Sequence, residues 1–104
     1  MAKVKKIGRF NVRIVLKGDK YGLEDCLTHK EKKPLVEFYD TKHMGKGFSR
    51  YGQFVSRYYA QTLIDDFDKV TRNGLALVGY EPAWSVSPED MVKVIKFMFQ
   101  TLTE

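Results

Sequence analysis

Hydrophobic positions along this chain change period twice, and the changes divide it into elements. From Phe10 to Leu16 they alternate, with Phe10, Val12, Ile14 and Leu16 on one side and Asn11, Arg13 and Val15 on the other. Period two with β-branched residues predicts a strand. Lys17-Gly18-Asp19-Lys20 supplies turn chemistry, and Tyr21 to Thr28 then reads as a returning strand, with Tyr21, Leu23, Asp25 and Leu27 on one side. After the polar connection His29 to Lys33, Pro34 opens a third strand, Leu35 to Asp40, at a position where its missing N–H is tolerated. Three strands joined by short links predict an antiparallel meander with a face to be covered.

Beyond Tyr51 the spacing becomes three and four, through Tyr51, Phe54, Val55, Tyr58, Thr62, Leu63 and Phe67. This apolar stripe predicts a first helix starting near Ser49, with Gly52 weakening its first turn. Asp65, Asp66 and Asp68 suit the negative end of a helix dipole badly, so the helix should end near Asp66. Thr71-Arg72-Asn73-Gly74 is a turn, and Leu75 to Tyr80 reads as a fourth strand in which Gly79 marks a bulge or a close approach and which Pro82 ends. Ala83 and Trp84 are expected under the last helix. There Ser87 caps, Pro88 takes the first helical position, Glu89 and Asp90 favour the positive dipole end, and Met91, Val94, Ile95, Met98, Phe99 and Leu102 form the stripe. The expectation is one α+β domain over residues 1–104, with a three- to four-stranded mainly antiparallel sheet and two helices packed on one face, in the order β-β-β-α-β-α. Residues 1–8 form a basic lead-in expected to fray at its extreme end.

Composition narrows the class. In 104 residues, 43% are hydrophobic and 30% charged, normal for a folded domain. Cys26 is the only cysteine, so no internal disulfide forms and a reducing cytoplasm is the expected home. No apolar run approaches the ~20 residues that span a bilayer, and no apolar segment with a cleavage site follows the basic start. A soluble cytoplasmic protein with no membrane contact is expected. Charge is unevenly spread: residues 1–50 hold 13 Lys/Arg against 6 Asp/Glu, residues 51–104 hold 5 against 7. A basic half attracts polyanions or an acidic protein, and it is also what a lysine-fringed sheet edge gives.

Candidate chemistry concentrates in Thr41 to Tyr59, TKHMGKGFSRYGQFVSRYY. Gly45 and Gly47 can curl the chain into a concave surface of backbone donors, and a helix starting near Ser49 would aim its free N–H groups at the same place. Lys42, His43, Lys46, Arg50 and Arg57 add charge, and Phe48 and Tyr51 add stacking faces; on that helix Arg50 and Arg57 would share a side. The same residues also read as a plain flexible connection, with solvated lysines and Phe48 stapled onto the helix. Of the other aromatics, Phe54, Tyr58, Trp84 and Phe99 read as core, whereas Tyr39, Tyr59 and Tyr80 have no assigned place.

Several chemistries are excluded by pattern. The Gly-Lys pair is not followed by Ser or Thr at P-loop spacing, only one residue separates Gly45 and Gly47, and the RNA-recognition aromatic pattern is missing. No nucleophile elbow, zinc-protease or dinucleotide motif occurs. Cys26, His29 and His43 lack the second paired motif of a zinc site, so neither metal nor cofactor is expected. A non-catalytic binding module remains, taking nucleic acid or another phosphate-bearing polyanion on Lys42, His43, Lys46, Phe48, Arg50, Tyr51 and Arg57. The alternative is a protein-interaction module, an inhibitor or adaptor that docks an acidic protein on this surface or on an exposed strand edge. Either suits the small accessory proteins of bacteria, phages and mobile elements. Oligomeric state is left open by the sequence.

Overall fold

Phe10–Val15 and Leu35–Asp40 turn Phe10, Val12, Ile14, Val36 and Phe38 toward a common face, and a four-stranded antiparallel sheet forms around these two strands. The computed structural model describes residues 2–45, 47–77 and 84–104. In chain order its elements are β1 (Lys3–Ile7), β2 (Phe10–Val15), β3 (Lys20–Tyr21), β4 (Leu27–Thr28), β5 (Leu35–Asp40), β6 (Gln53–Tyr59), α1 (Ala60–Asp65), α2 (Phe67–Asn73), β7 (Leu75–Ala76), β8 (Ser85–Val86) and α3 (Pro88–Leu102). The sheet runs β1-β2-β5-β6. Val12, Ile14, Val36 and Phe38 meet Leu63, Val70, Met91, Val94 and Met98 of the helices in a single buried cluster. The fold is therefore a small α+β domain with its helices on one face.

Most of the basic lead-in is a strand: Lys3–Ile7 pairs with β2 from Lys3↔Ile14 to Ile7↔Phe10. Three lysines hid this strand, but an edge strand tolerates them, because its outer side faces water and charge there deters further strand addition. The two-residue turn holds Gly8 at φ 60°, and a Cβ there would strike the Asp90 carboxylate of α3.

Residues 21–28 do not make the second strand of a meander. Only β3 and β4 pair, through Lys20↔Thr28 and Tyr21↔Leu27, around a 3-10 turn at Leu23–Asp25. The excursion lies over the sheet face opposite the helices, where Gly22 and Asp25 reach β2 and β5 side chains. Gly22 and the polar pair Glu24-Asp25 give too few sheet-forming residues for a long strand.

The largest correction falls on Gln53–Tyr59, which is strand β6, paired with β5 from Asp40↔Gln53 to Leu35↔Tyr59 with a register shift between Phe38 and Tyr39. No helix begins near Ser49. Aromatics lie on both sides of β6, since both faces of the sheet are covered, and two interleaved rows of large residues imitate a three-four stripe. Gly52 decides the matter locally: at φ 120° its backbone runs against the Asp40 carbonyl, where a Cβ would collide. Helix starts only at Ala60 and breaks at Asp66 (φ −97°, ψ 21°), so the expected single helix is α1 and α2, and the sequence limit near Asp66 marks the joint.

Of the expected fourth strand, Leu75–Ala76 pairs with Ser85–Val86; Gly79, Tyr80, Pro82 and Ala83 lie outside the described residues. Helix α3 starts as expected, with Ser87 Oγ accepting from Asp90 N and Pro88 in the first turn. Trp84 packs on the core edge, but Phe99 is 45% exposed and is not core. Among the described residues no helix is long and apolar enough to cross a membrane.

Phe38 is fully buried, edge-on to Phe10 and Tyr58 at 6.4 and 6.1 Å. Phe38→Ala is expected to cost about 3–5 kcal/mol in urea unfolding, and Phe99→Ala less than about 1 kcal/mol. Equal losses would contradict this placing of the core.

Candidate nucleic-acid interface

Two polar clusters, both anchored in β5, build the candidate surface. The first is centred on Asp40, wholly buried at the end of the strand. Its carboxylate accepts from Arg9 Nε and Nη2 (2.8 and 2.6 Å), Lys42 N (3.0 Å), His43 Nδ1 (2.7 Å) and Trp84 Nε1 (2.7 Å). Because a carboxylate only accepts, the His43 contact is a donation from Nδ1. Burial alone would push the Asp40 carboxyl up, but the donors from Arg9, Lys42 N, Trp84 and His43 outweigh it and hold it well below the usual carboxylate range. One side chain thus pins the β1–β2 turn, the start of the glycine loop and Trp84.

The second cluster crosses the sheet on the face away from the helices. Arg13, Glu37 and Arg57 stand opposite one another in the registers of β2, β5 and β6. Arg13 Nε donates to Glu37 Oε1 (2.8 Å), Nη1 to Asp25 Oδ1 (2.5 Å) and Nη2 to Tyr39 Oη (2.6 Å) and Gly22 O (3.1 Å). Gly22 N donates to Glu37 Oε2 at 3.0 Å, and Arg57 Nε stands 3.4 Å from the same oxygen, an ion pair without hydrogen-bond geometry. Burial pushes the Tyr39 hydroxyl up and Glu37 adds to the shift, against Arg13, so the phenol stays protonated. Burial would lower the Arg13 guanidinium, yet Asp25, Glu37 and Tyr39 together raise it, so it keeps its charge.

This network reaches the surface through Asp25. Its carboxylate accepts from buried Arg13 on one side and from Arg50 Nη2 (3.2 Å) on the other. Tyr51 is clasped between the same two guanidiniums, 4.6 Å from Arg13 and 4.9 Å from Arg50, and its hydroxyl takes a 2.7 Å hydrogen bond from Arg50. Arg50 nevertheless keeps 66% of its side chain exposed. On either side of this pair lies a shallow hollow. One, of about 250 Å³, has Phe48, Ser49, Glu24 and Asp25 around it, and the other, of about 260 Å³, has Arg13, Lys20, Asp19 and Asp25. Glu24 and Asp25 both take positive φ (58° and 54°), which costs a non-glycine residue about 1 kcal/mol or more. The pairs on Asp25 hold that turn in place.

The expected site residues separate accordingly. Phe48, Arg50 and Tyr51 share one hollow, and Phe48 also stands 6.3 Å from the His43 ring. Lys42 gives its backbone N–H to Asp40 while the residue stays exposed. Arg57 is committed to Glu37 and stacked between Tyr21 and Phe54 at 4.7 and 4.9 Å, and it shares no helix face with Arg50 because β6 replaces the helix. Lys46 lies outside the described residues. Among the described residues no α-helix begins at the loop, so the dipole expected there is missing. Gly45 and Gly47 take φ 143° and 92° with nothing near a Cβ position, so glycine serves backbone conformation there and not close packing.

Sequence reasoning missed Arg13, Asp25, Glu37 and Asp40. The available signal was opposite charges inside two apolar strands, Arg13 in FNVRIV and Glu37 in LVEFYD, which only cross-strand register turns into a pair. Cys26 is exposed and His29 Nε2 lies 2.6 Å from Lys33 O, and among the described residues no group of three potential ligands could hold a metal ion.

A carboxyl held low in the fold contributes fully above its ordinary value near 4 and less as pH falls through the folded value. Wild-type stability should therefore decline from about pH 4 downward, and Asp40→Asn should flatten that decline in urea melts while costing on the order of 3 kcal/mol at pH 7. An unchanged acid profile would contradict the assigned role. No protein-family model, curated protein or solved structure matches this chain.

Proposed function

We propose that this protein is a non-catalytic binding module for single-stranded nucleic acid, with phosphates held by Arg50, Lys42 and Lys46 and bases stacked on Phe48, while Tyr51 holds the Arg50 guanidinium in place. The observation that carries the reading is Arg50. An exposed arginine ordinarily loses conformational freedom on gripping a ligand, but here Asp25 and the Tyr51 ring and hydroxyl already fix its guanidinium. Its remaining N–H groups face solvent as a planar phosphate donor. Phe48, 41% exposed, lies in the same hollow and offers a stacking face. The half-exposed His43 ring stands 6.3 Å from it. Arg57 supports the sheet below. The single cysteine suits a reducing cytoplasm, where RNA is an abundant polyanion.

Acidic neighbours limit the field. Asp19, Glu24 and Asp25 border the hollows, so attraction is local to the Arg50 ridge and the lysines around it, and affinity should be modest.

Fluorescence anisotropy with labelled dT20, rU20 and a duplex of equal length, at about 50 and 200 mM salt, tests the proposal. Single strands should bind more tightly than the duplex and weaken steeply with salt. The Lys42→Ala, Arg50→Ala double variant should lose about tenfold or more and reduce the salt slope by about 1 per contact removed. Phe48→Ala should cost about 1–3 kcal/mol with the slope unchanged. No binding at 50 mM salt, or binding indifferent to Arg50, sinks this reading and leaves an inhibitor or adaptor for an acidic protein in its place.

A further inference from the structure

On the far side of the molecule α2 and α3 leave an open apolar groove of about 580 Å³ between them. Three large side chains converge there while somewhat less than half exposed: Phe67 (46%) from α2, and Val92 (39%) and Phe99 (45%) from α3. Ile95, 4% exposed, forms its floor. Val92 and Phe99 are seven residues apart on one helix face, a separation of about 10 Å along the axis. An apolar strip two turns long between two helices has the shape into which a third amphipathic helix packs.

Charge selects among occupants. Lys96 stands between Val92 and Phe99 and, among the described residues, is the only charged one lining the groove. Neighbouring Lys93 is turned to Asp90 at 3.8 Å. A second copy of this chain seated across a two-fold axis through the groove would oppose Lys96 to Lys96, with no carboxylate in the lining to answer either. A helix with a carboxylate among its apolar anchors would instead place it on Lys96.

We propose that the α2–α3 groove docks an amphipathic helix of a partner protein, with apolar anchors at i, i+4 and i+7 filling the space between Phe67, Val92 and Phe99 and an Asp or Glu between them meeting Lys96. This site is independent of the Arg50 surface and would make the protein an adaptor between two partners.

The probe is a displayed library of 16-residue helical peptides, apolar at i, i+4 and i+7 and randomised elsewhere, selected on the immobilised full chain. Selected peptides should carry an acidic residue between the anchors. A soluble selected peptide should lose about tenfold or more in affinity on Phe99→Ala and about threefold or more on Lys96→Glu. Changing the peptide's acidic residue to Lys should restore binding to the Lys96→Glu protein. Both substitutions fall on partly exposed side chains, so the fold should survive, checked by urea transitions that stay cooperative with an unchanged slope. Failure to enrich any peptide over the Phe99→Ala protein overturns the proposal. So do enriched peptides indifferent to Lys96, and a concentration-dependent dimer in sedimentation that Phe99→Ala dissolves.

Discussion

Burying Glu37 in the middle of β5 constrains the rest of this structure. A carboxylate with no exposed surface is costly unless cations and donors surround it. Two of its partners come from adjacent strands at the same level, Arg13 from β2 and Arg57 from β6. A slip of one residue in either pairing would turn that strand's arginine to the helix face and leave the buried carboxylate short of a cation. The apolar alternation on the other face demands the same register, so two independent constraints agree. Of its other two partners, the Tyr39 hydroxyl comes from β5 itself, and Gly22 N fastens the excursion between β2 and β5 onto the sheet.

From Glu37 the charges alternate outward through Arg13 and Asp25 to Arg50, from the dry interior to a side chain two-thirds in water. That sequence explains how a loop rich in glycine can present a fixed guanidinium. The loop's own conformation does not fix Arg50. It is set by Tyr51, wedged between two arginines, and by Asp25, whose left-handed backbone is stabilised by the pairs it makes. Asp40 performs the matching task at the loop's other end. Polar burial, which contributes little net stability, here positions the surface on which binding is proposed.

Much of this fold was legible from local pattern. Strand β2 announces itself by alternation, β5 by a short run of strand formers behind Pro34, and α3 by its cap, its proline and its stripe. Gln53–Tyr59 was not legible, because an edge strand covered on both faces carries aromatics on both sides, and only the contact of Gly52 with the Asp40 backbone distinguishes it from a helix. Lys3–Ile7 was hidden for the opposite reason: an edge strand bears lysines, and lysines at a chain start look frayed. At the candidate site, Phe48, Arg50 and Tyr51 were found from composition, but what organises them was not. Arg13, Asp25 and Glu37 lie up to 24 residues apart and become one network only through register.

The measurement that bears most directly on the central claim is a map of backbone amide chemical shifts while a short single-stranded oligonucleotide is titrated into the protein at low salt. Shifts concentrated at Lys42, Phe48, Arg50 and Tyr51, and passing inward to Gly22 and Asp25, are the result this account predicts. Shifts confined to the lysines of β1 or to α3, with the Arg50 ridge unmoved, would contradict it.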